Sequence, residues 1–315
     1  MELDFLKGHM GGNRIILLDG RQTGESSERV LAAALGALDE NRLCGHQAGV
    51  LFPGGGPGGL RVLIADVTGR NFIPACGGLT QVLGRALAET QWASRFGLVI
   101  EEPFTEVVLE TEAGPTPITV HMQGGGFTHT ESDLTGFAGI LENETIGPLN
   151  LGDVKAFMSG RYLVLNADEA GKSCPGADFD VMNDPALNAL AEIQQCFHRV
   201  AGTNSLHFSL YDVKRGSRPR IRALFPHSVL TGHVEPACGT GSIALGVALL
   251  FSGEGERLGL AKNGVLEVDL ETGGRPVLGG PDVTRVRIES SGAGVTGAFF
   301  SHSFVEITAE GICQV

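Results

Sequence analysis

The stretch PACGGLTQVLGRAL, Pro74 to Leu87, returns as PACGTGSIALGVAL, Pro236 to Leu249, with eight of its 14 positions identical and no gap. A second echo keeps almost the same register. Leu109-Glu110-Thr111 begins 33 residues after Cys76, and Leu270-Glu271-Thr272 begins 32 residues after Cys238. Two matches at one spacing mark a duplicated unit. The 315-residue chain is therefore expected to form two related halves joined near residues 115–130. Gly114-Pro115 and the run Gly124-Gly125-Gly126 supply turn or hinge material there. The halves are placed at residues 1–120 and 121–282, with the last segment, Val283 to Val315, packing back onto the first.

In both copies an apolar, extended-looking stretch precedes the cysteine, Arg61 to Ile64 and Ile221 to Phe225. A helical pattern follows it, through Val82, Leu83, Ala86 and Leu87 in one half and Ile243 to Leu250 in the other. Pro74 and Pro236 hold the chain out of helix just before the turn. The fold class is α/β, or α+β, and two helices this apolar all round belong inside their domains. Behind the thiols, Gly77 and Gly78, and Gly239 and Thr240, let the backbone come close to a ligand.

Each thiol thus stands at a helix start. Unpaired N–H groups and the positive end of the macrodipole favour a thiolate there and suit a substrate carboxylate. Inverting a carbon stereocentre needs a base on one face and an acid on the other, which one thiolate and one thiol provide. The α-proton of an amino acid is far less acidic than a thiol in water. Helix-end N–H groups would stabilise the charge that builds on the carboxylate, and exclusion of water would strengthen them. Cys76 and Cys238 are the candidate catalytic residues. The competing reading is two buried cysteines that tighten equivalent turns and react with nothing.

Composition narrows the rest. Apolar residues make up 42% and charged residues 19%, which is a globular balance. A formal charge of −13 without any basic block argues against nucleic acid and anionic membranes as partners. No apolar run reaches the ~18 residues of a membrane helix. Met1 to Asp19 lacks the order of a signal peptide, so a cytoplasmic location is expected. None of the six cysteines lies in a CxxC spacing, and Cys44, Cys174, Cys196 and Cys313 lack the helix-start context. The glycine runs at Gly54 to Gly59 and Gly124 to Gly126 are not followed by the GK[ST] of a phosphate loop. No metal, pyridoxal phosphate or other cofactor is expected. His9, His46 and His233 lie near the motif segments and read first as structural, and Glu235 reads equally as a group for a substrate ammonium and as a solvated loop carboxylate.

These residues resemble the diaminopimelate epimerase and proline racemase superfamily over most of the chain. Lys7 to Asp19 (KGHMGGNRIILLD) is similar to that family's opening strand with its Gly-Asn pair, here Gly12-Asn13. Cys44 to Gly49 (CGHQAG) is similar to the segment that supplies a substrate-binding glutamine, here Gln47. Thr203-Asn204 looks like the asparagine that leads into a second-domain strand, and ACGTG at Ala237 to Gly241 resembles the second catalytic motif most closely. The resemblance implies two pseudo-symmetric domains, each a curved mixed sheet around a central helix, with the active site in the cleft between them. It implies a cofactor-free site in which Asn13, Gln47, Asp66, Gly77, Gly78, Asn204, Gly239 and Thr240 bind a small carboxylate or amino acid. A homodimer is compatible with it.

The departures point away from diaminopimelate itself. The first motif reads CGG at Cys76 to Gly78, Asp66 stands in place of a binding asparagine, and the family's GNPH corresponds to Gly160-Arg161-Tyr162-Leu163. A Glu-Arg pair expected upstream of the second cysteine is Val229-Leu230. The leading expectation is therefore racemisation or epimerisation at the α-carbon of another amino acid. The alternatives are diaminopimelate epimerisation, allylic isomerisation of an unsaturated di- or tricarboxylic acid, dehydration of a hydroxyproline, which related dehydratases carry out with one cysteine lost, and a ligand-binding protein without catalysis.

Overall fold

The computed structural model describes all residues except 25, 57, 70, 170–206, 215–219, 227–233, 273–281 and 293. Cys174, Cys196, Thr203, Asn204, Val229, Leu230 and His233 lie outside the described residues. The chain divides into two units, Met1–Phe137 with Ser301–Val315, and Ala138–Phe300.

In the first unit, β1 (Glu2–Met10) pairs antiparallel with β2 (Asn13–Asp19), and β2 pairs parallel with β3 (Gln47–Pro53). β3 pairs antiparallel with β4 (Gly59–Asp66), which runs parallel to β6 (Phe104–Thr111), and β6 is antiparallel to β7 (Gly114–Gln123). The short β5 (Phe72–Ile73) lies on β4, and β8 (Gly126–Asp133) follows β7 through a hairpin turn at Gly124 and Gly125. Both turn glycines have positive φ, 62° and 78°, as a tight two-residue hairpin requires.

The second unit opens with β9 (Ile146–Leu151) on β10 (Val154–Ser159) and then repeats the scheme. β10 is antiparallel to β11 (Tyr162–Asn166), β11 parallel to β12 (His207–Lys214), and β12 antiparallel to β13 (Arg220–Pro226). The short β14 (Val234–Glu235) lies on β13 as β5 lies on β4. β15 (Ala261–Lys262) precedes β16 (Val265–Thr272), which is parallel to β13 and antiparallel to β17 (Asp282–Ser291). β18 (Gly294–His302) then leads to β19 (Val305–Gln314), which returns to pair with β1. The sequence echo has a structural counterpart: Leu109 and Glu110 pair with Leu60 and Arg61, while Leu270 and Glu271 pair with Ile221 and Arg222.

Parallel strands buried on two faces read as continuous apolar runs, as β2 and β3 do. One face of the first sheet presents Ile16, Leu18, Ala48 and Val50 to Val30, Ala33, Ala34 and Ala37 of α1 (Ser27–Leu38). The other receives α2 (Gly77–Glu89), whose Leu79 lies so close to Gly49 that any side chain there would run into it. Ten of the 13 residues of α2 are buried, and so are ten of the 13 of α5 (Gly239–Phe251) in the second unit. The apolar ones among them, such as Val82, Leu83 and Leu87, contribute about 1.5–3 kcal/mol each. Shorter helices among the described residues include α3 (Trp92–Arg95), α4 (Thr135–Glu144) and α6 (Glu254–Arg257). No helix among the described residues is long and apolar enough to cross a membrane.

Candidate active site

Both motif cysteines are helix N-caps. Cys76 has extended backbone (φ −146°, ψ 106°), and its Sγ accepts the N–H of Leu79 at 3.4 Å. Cys238 repeats this with φ −133°, ψ 113° and the N–H of Gly241 at 3.4 Å. In each case the sulfur takes one of the N–H groups that a helix start leaves without a helical partner. The proline two residues earlier and the short strands β5 and β14 hold the approach to the cap extended.

A hydroxyl four residues past each cysteine braces the turn. Thr80 Oγ1 donates to the Gly77 carbonyl at 2.7 Å, and Ser242 Oγ donates to the Cys238 carbonyl at 2.7 Å. Behind Cys76 the bracing extends into a buried polar chain. Thr80 Oγ1 lies 2.7 Å from Ser132 Oγ, Gln81 Nε2 donates to the same oxygen at 2.8 Å, and Gln81 Oε1 accepts the N–H of His302 at 3.1 Å. In the second unit Ser209 of β12 donates to the Gly241 carbonyl at 3.2 Å.

The strand pairings gather the other first-unit candidates around the end of the sheet that leads to Cys76. Gln47 opens β3 opposite Ile15 on one side and Asp66 on the other, and Ile64 pairs with Ile73, three residues before the thiol. Asn13 is buried, and His46 Nδ1 stands 2.9 Å from its Oδ1. Arg14 Nη2 lies 3.0 Å from His46 Nε2, so His46 orients Asn13. A Cβ on Gly78 would stand 3.6 Å from Asn13 Nδ2, which places the amide against the first turn of α2. Gln47 is buried as well. Asp66 uses Oδ1 to accept from the N–H of Thr68 at 2.9 Å and from the Thr68 hydroxyl, which ties that oxygen into a turn. His9 stands 3.1 Å from the Glu306 carboxylate and against the ring of Phe304.

The two cysteines differ in their neighbours. Gly78 and Ile73, two residues after and three before Cys76, carry no polar side chain; the equivalent residues around Cys238 are Thr240 and Glu235. Thr240 Oγ1 is 3.4 Å from Cys238 Sγ and accepts the phenol O–H of Tyr162 at 2.9 Å. Burial pushes the Cys238 thiol well above its ordinary value, and the charge of Glu235 and its hydrogen bond to the thiol push the same way. Thr240 and the Gly241 N–H pull in the opposite direction. Asn204 lies outside the described residues, while Gly77, Gly78, Gly239 and Thr240 form the first turns of α2 and α5. Cys44 and Cys313 carry no disulfide. Among the described residues no three His, Cys, Asp or Glu side chains are grouped as metal ligands would be.

Sequence reasoning did not find Ser132, Gln81 or His302, and it met Tyr162 only within the stretch that corresponds to the family's GNPH. Arg61 and Arg222 left a usable signal, since each stands one residue after an aliphatic residue, 15 or 16 positions before its cysteine, and pairs with the glutamate of the second echo.

No family model and no curated protein matches the sequence. Solved structures do match. A hydroxyproline epimerase from Agrobacterium vitis with bound trans-4-hydroxy-L-proline is 12% identical, with 99% of this chain and 92% of that one covered at a TM-score of 0.62. A probable proline racemase from Agrobacterium radiobacter K84 with bound carbonate is 15% identical, with 99% and 92% covered at 0.62. A methylitaconate Δ-isomerase is 15% identical, with 99% and 95% covered at 0.60. At such identities the likeness speaks for architecture, and it agrees with the repeated strand order of the two units. The chain has the two-domain diaminopimelate epimerase-like fold.

Proposed function

We propose that this protein is a cofactor-independent isomerase that inverts the α-carbon of an amino acid, with Cys76 and Cys238 as the proton-transfer pair. One observation carries the reading: two cysteines, one in each unit, cap their helices with similar backbone geometry and the same 3.4 Å N–H contact. A merely structural cysteine has no need to be kept twice at a helix start with small residues behind it. That epimerases and racemases of amino acids occur among structures of this fold supports the choice of reaction.

In the proposed step the thiolate of one cysteine takes the α-hydrogen as a proton and becomes a thiol. The electron pair left on carbon spreads into the substrate carboxylate, whose growing charge is met by N–H groups of the first helical turns. The thiol of the other cysteine returns a proton to the opposite face and becomes the thiolate. Nothing is oxidised or reduced, and the reverse reaction exchanges the two roles. Asn13, Gln47 and Asp66 would line the substrate on the Cys76 side, and Glu235 would meet its ammonium group near Cys238.

A second reading is 1,3-proton transfer in an unsaturated acid, favoured by the likeness to methylitaconate Δ-isomerase. A panel of amino acids and unsaturated di- and tricarboxylic acids incubated in deuterated water separates the two. Deuterium at the α-carbon of an amino acid with change of configuration supports the first, and a shifted alkene supports the second. No exchange with any compound would overturn both.

A further inference from the structure

We propose that Glu235 and the Tyr162–Thr240 hydroxyl pair act on Cys238 in opposite senses, the carboxylate holding the sulfur as a thiol and the hydroxyls making room for it as a thiolate. This rests on the reading of Cys238 as a proton-transfer residue and gives Glu235, Thr240 and Tyr162 positioning roles toward the sulfur beside any contact with substrate.

The geometry divides the sulfur's neighbours into two groups. Glu235, which closes β14 three residues earlier, bears on the Cys238 thiol by its charge and by hydrogen bonding, and both favour the protonated sulfur. A carboxylate is an acceptor only, so this bond requires the proton to sit on sulfur. Its negative charge also penalises a thiolate beside it. Against it stand Thr240 Oγ1 at 3.4 Å and the Gly241 N–H at 3.4 Å. Thr240 has one hydroxyl hydrogen. Because Tyr162 donates to Thr240 Oγ1 at 2.9 Å, that oxygen is already an acceptor, and its own hydrogen is left for Sγ. Tyr162 itself is buried and held face to face with His207, ring centroids 4.9 Å apart, so the phenol is fixed in direction.

Among the described residues the titratable groups around this sulfur are therefore Glu235 on β14, Tyr162 on β11 and, behind the phenol, His207 on β12. At the matching positions around Cys76, Ile73 and Gly78 stand for Glu235 and Thr240. A pair of thiols that must rest as one acid and one base gains from this difference: Cys238 is the member kept protonated, and the donors waiting on its other side allow it to give the proton up.

The test is the pH dependence of alkylation at Cys238 by iodoacetamide, read peptide by peptide by mass spectrometry on the full chain without substrate, since the thiolate is the reactive form. Glu235→Gln should lower the midpoint by about one pH unit or more, the size of a neighbouring-charge effect. Tyr162→Phe and Thr240→Val should raise it, and Thr240→Ser should restore the wild-type midpoint. A Glu235→Gln midpoint equal to wild type overturns the proposal, and so does a Tyr162→Phe midpoint that fails to rise. Because no turnover is involved, missing shifts in an enzyme that still racemises reject this assignment alone. Shifts in a protein without isomerase activity reject the proposed function instead.

Discussion

Gly84 and Gly246 occupy the same position in α2 and α5, eight residues after their respective cysteines, and each lets a strand lie directly on the helix. A Cβ on Gly84 would drive into the side chain of Thr130 on β8. One on Gly246 would stand 2.9 Å from the Cγ1 atoms of both Val286 and Ile288 on β17. The glycine repeated in the two motifs is thus a packing requirement that sets how close each cysteine-capped helix lies to its sheet. Alanine usually favours a helix over glycine by about 1 kcal/mol. Here overpacking, about 1–3 kcal/mol, should outweigh that gain. Gly84→Ala and Gly246→Ala are expected to unfold at lower urea concentration than wild type. Variants of unchanged or higher midpoint would show that the strands are free to move away.

On the proposed mechanism, replacing Cys76 or Cys238 with alanine should abolish interconversion in both directions, since each thiol would be base for one enantiomer and acid for the other. The loss expected for a proton-transfer residue is about 10²–10⁴-fold. Serine at either position should leave a slow enzyme that still binds substrate. Alanine at Cys44 or Cys313 should change the rate little. Wild-type racemisation by either motif variant would return the repeated cysteines to a structural role.

Diaminopimelate should be a poor substrate. Val229 and Leu230 offer no charge to a distal carboxylate, and Asp66, on the strand end beside Gln47, would repel one. Amino acids with neutral or cationic side chains should give the higher kcat/KM. The ranking is checked by comparing kcat/KM across such a panel, and a value for diaminopimelate above all others would contradict it.

His302 gives the fold a pH dependence of its own. Burial is the main reason its pKa falls to about 4, with a contribution from nearby His9 and partial compensation from the backbone of Phe304. An unfolded histidine titrates near 6.5, so the unfolded chain binds the proton first as the solution is acidified. The stabilisation is therefore complete above about pH 6.5 and is lost progressively as pH falls toward 4, on the order of 3 kcal/mol in all. Urea unfolding at a series of pH values between 7 and 4.5 measures it. His302→Asn should flatten the dependence, and an equally steep profile in that variant would assign the acid sensitivity to other groups.

Much of this architecture was legible in the chain because the decisive signals are local. Proline, cysteine and small residues within a few positions of one another determine an extended approach, a cap and a helix start, and they do so wherever the segment lies. The repeat of Pro74–Leu87 at Pro236–Leu249 therefore announced two related units with a thiol at each helix start, and the alternation and apolar runs located β4, β13, α2 and α5. Tyr162 reaches Thr240 across 78 residues, and Gln81 meets His302 across 221. The return of β19 to β1, which pairs Glu2 with Gln314, likewise depends on no local pattern. Contacts of this kind exist only once sheets have brought distant strands side by side, and a lone tyrosine or histidine looks the same in a sequence whether or not such a partner awaits it. The sequence by itself determined that there are two helix-capping thiols; tertiary structure decided what stands beside them, because Tyr162 comes from another strand of the sheet to donate to the Thr240 hydroxyl, 3.4 Å from the Cys238 sulfur, while the positions matching Thr240 and Glu235 beside Cys76 are Gly78 and Ile73.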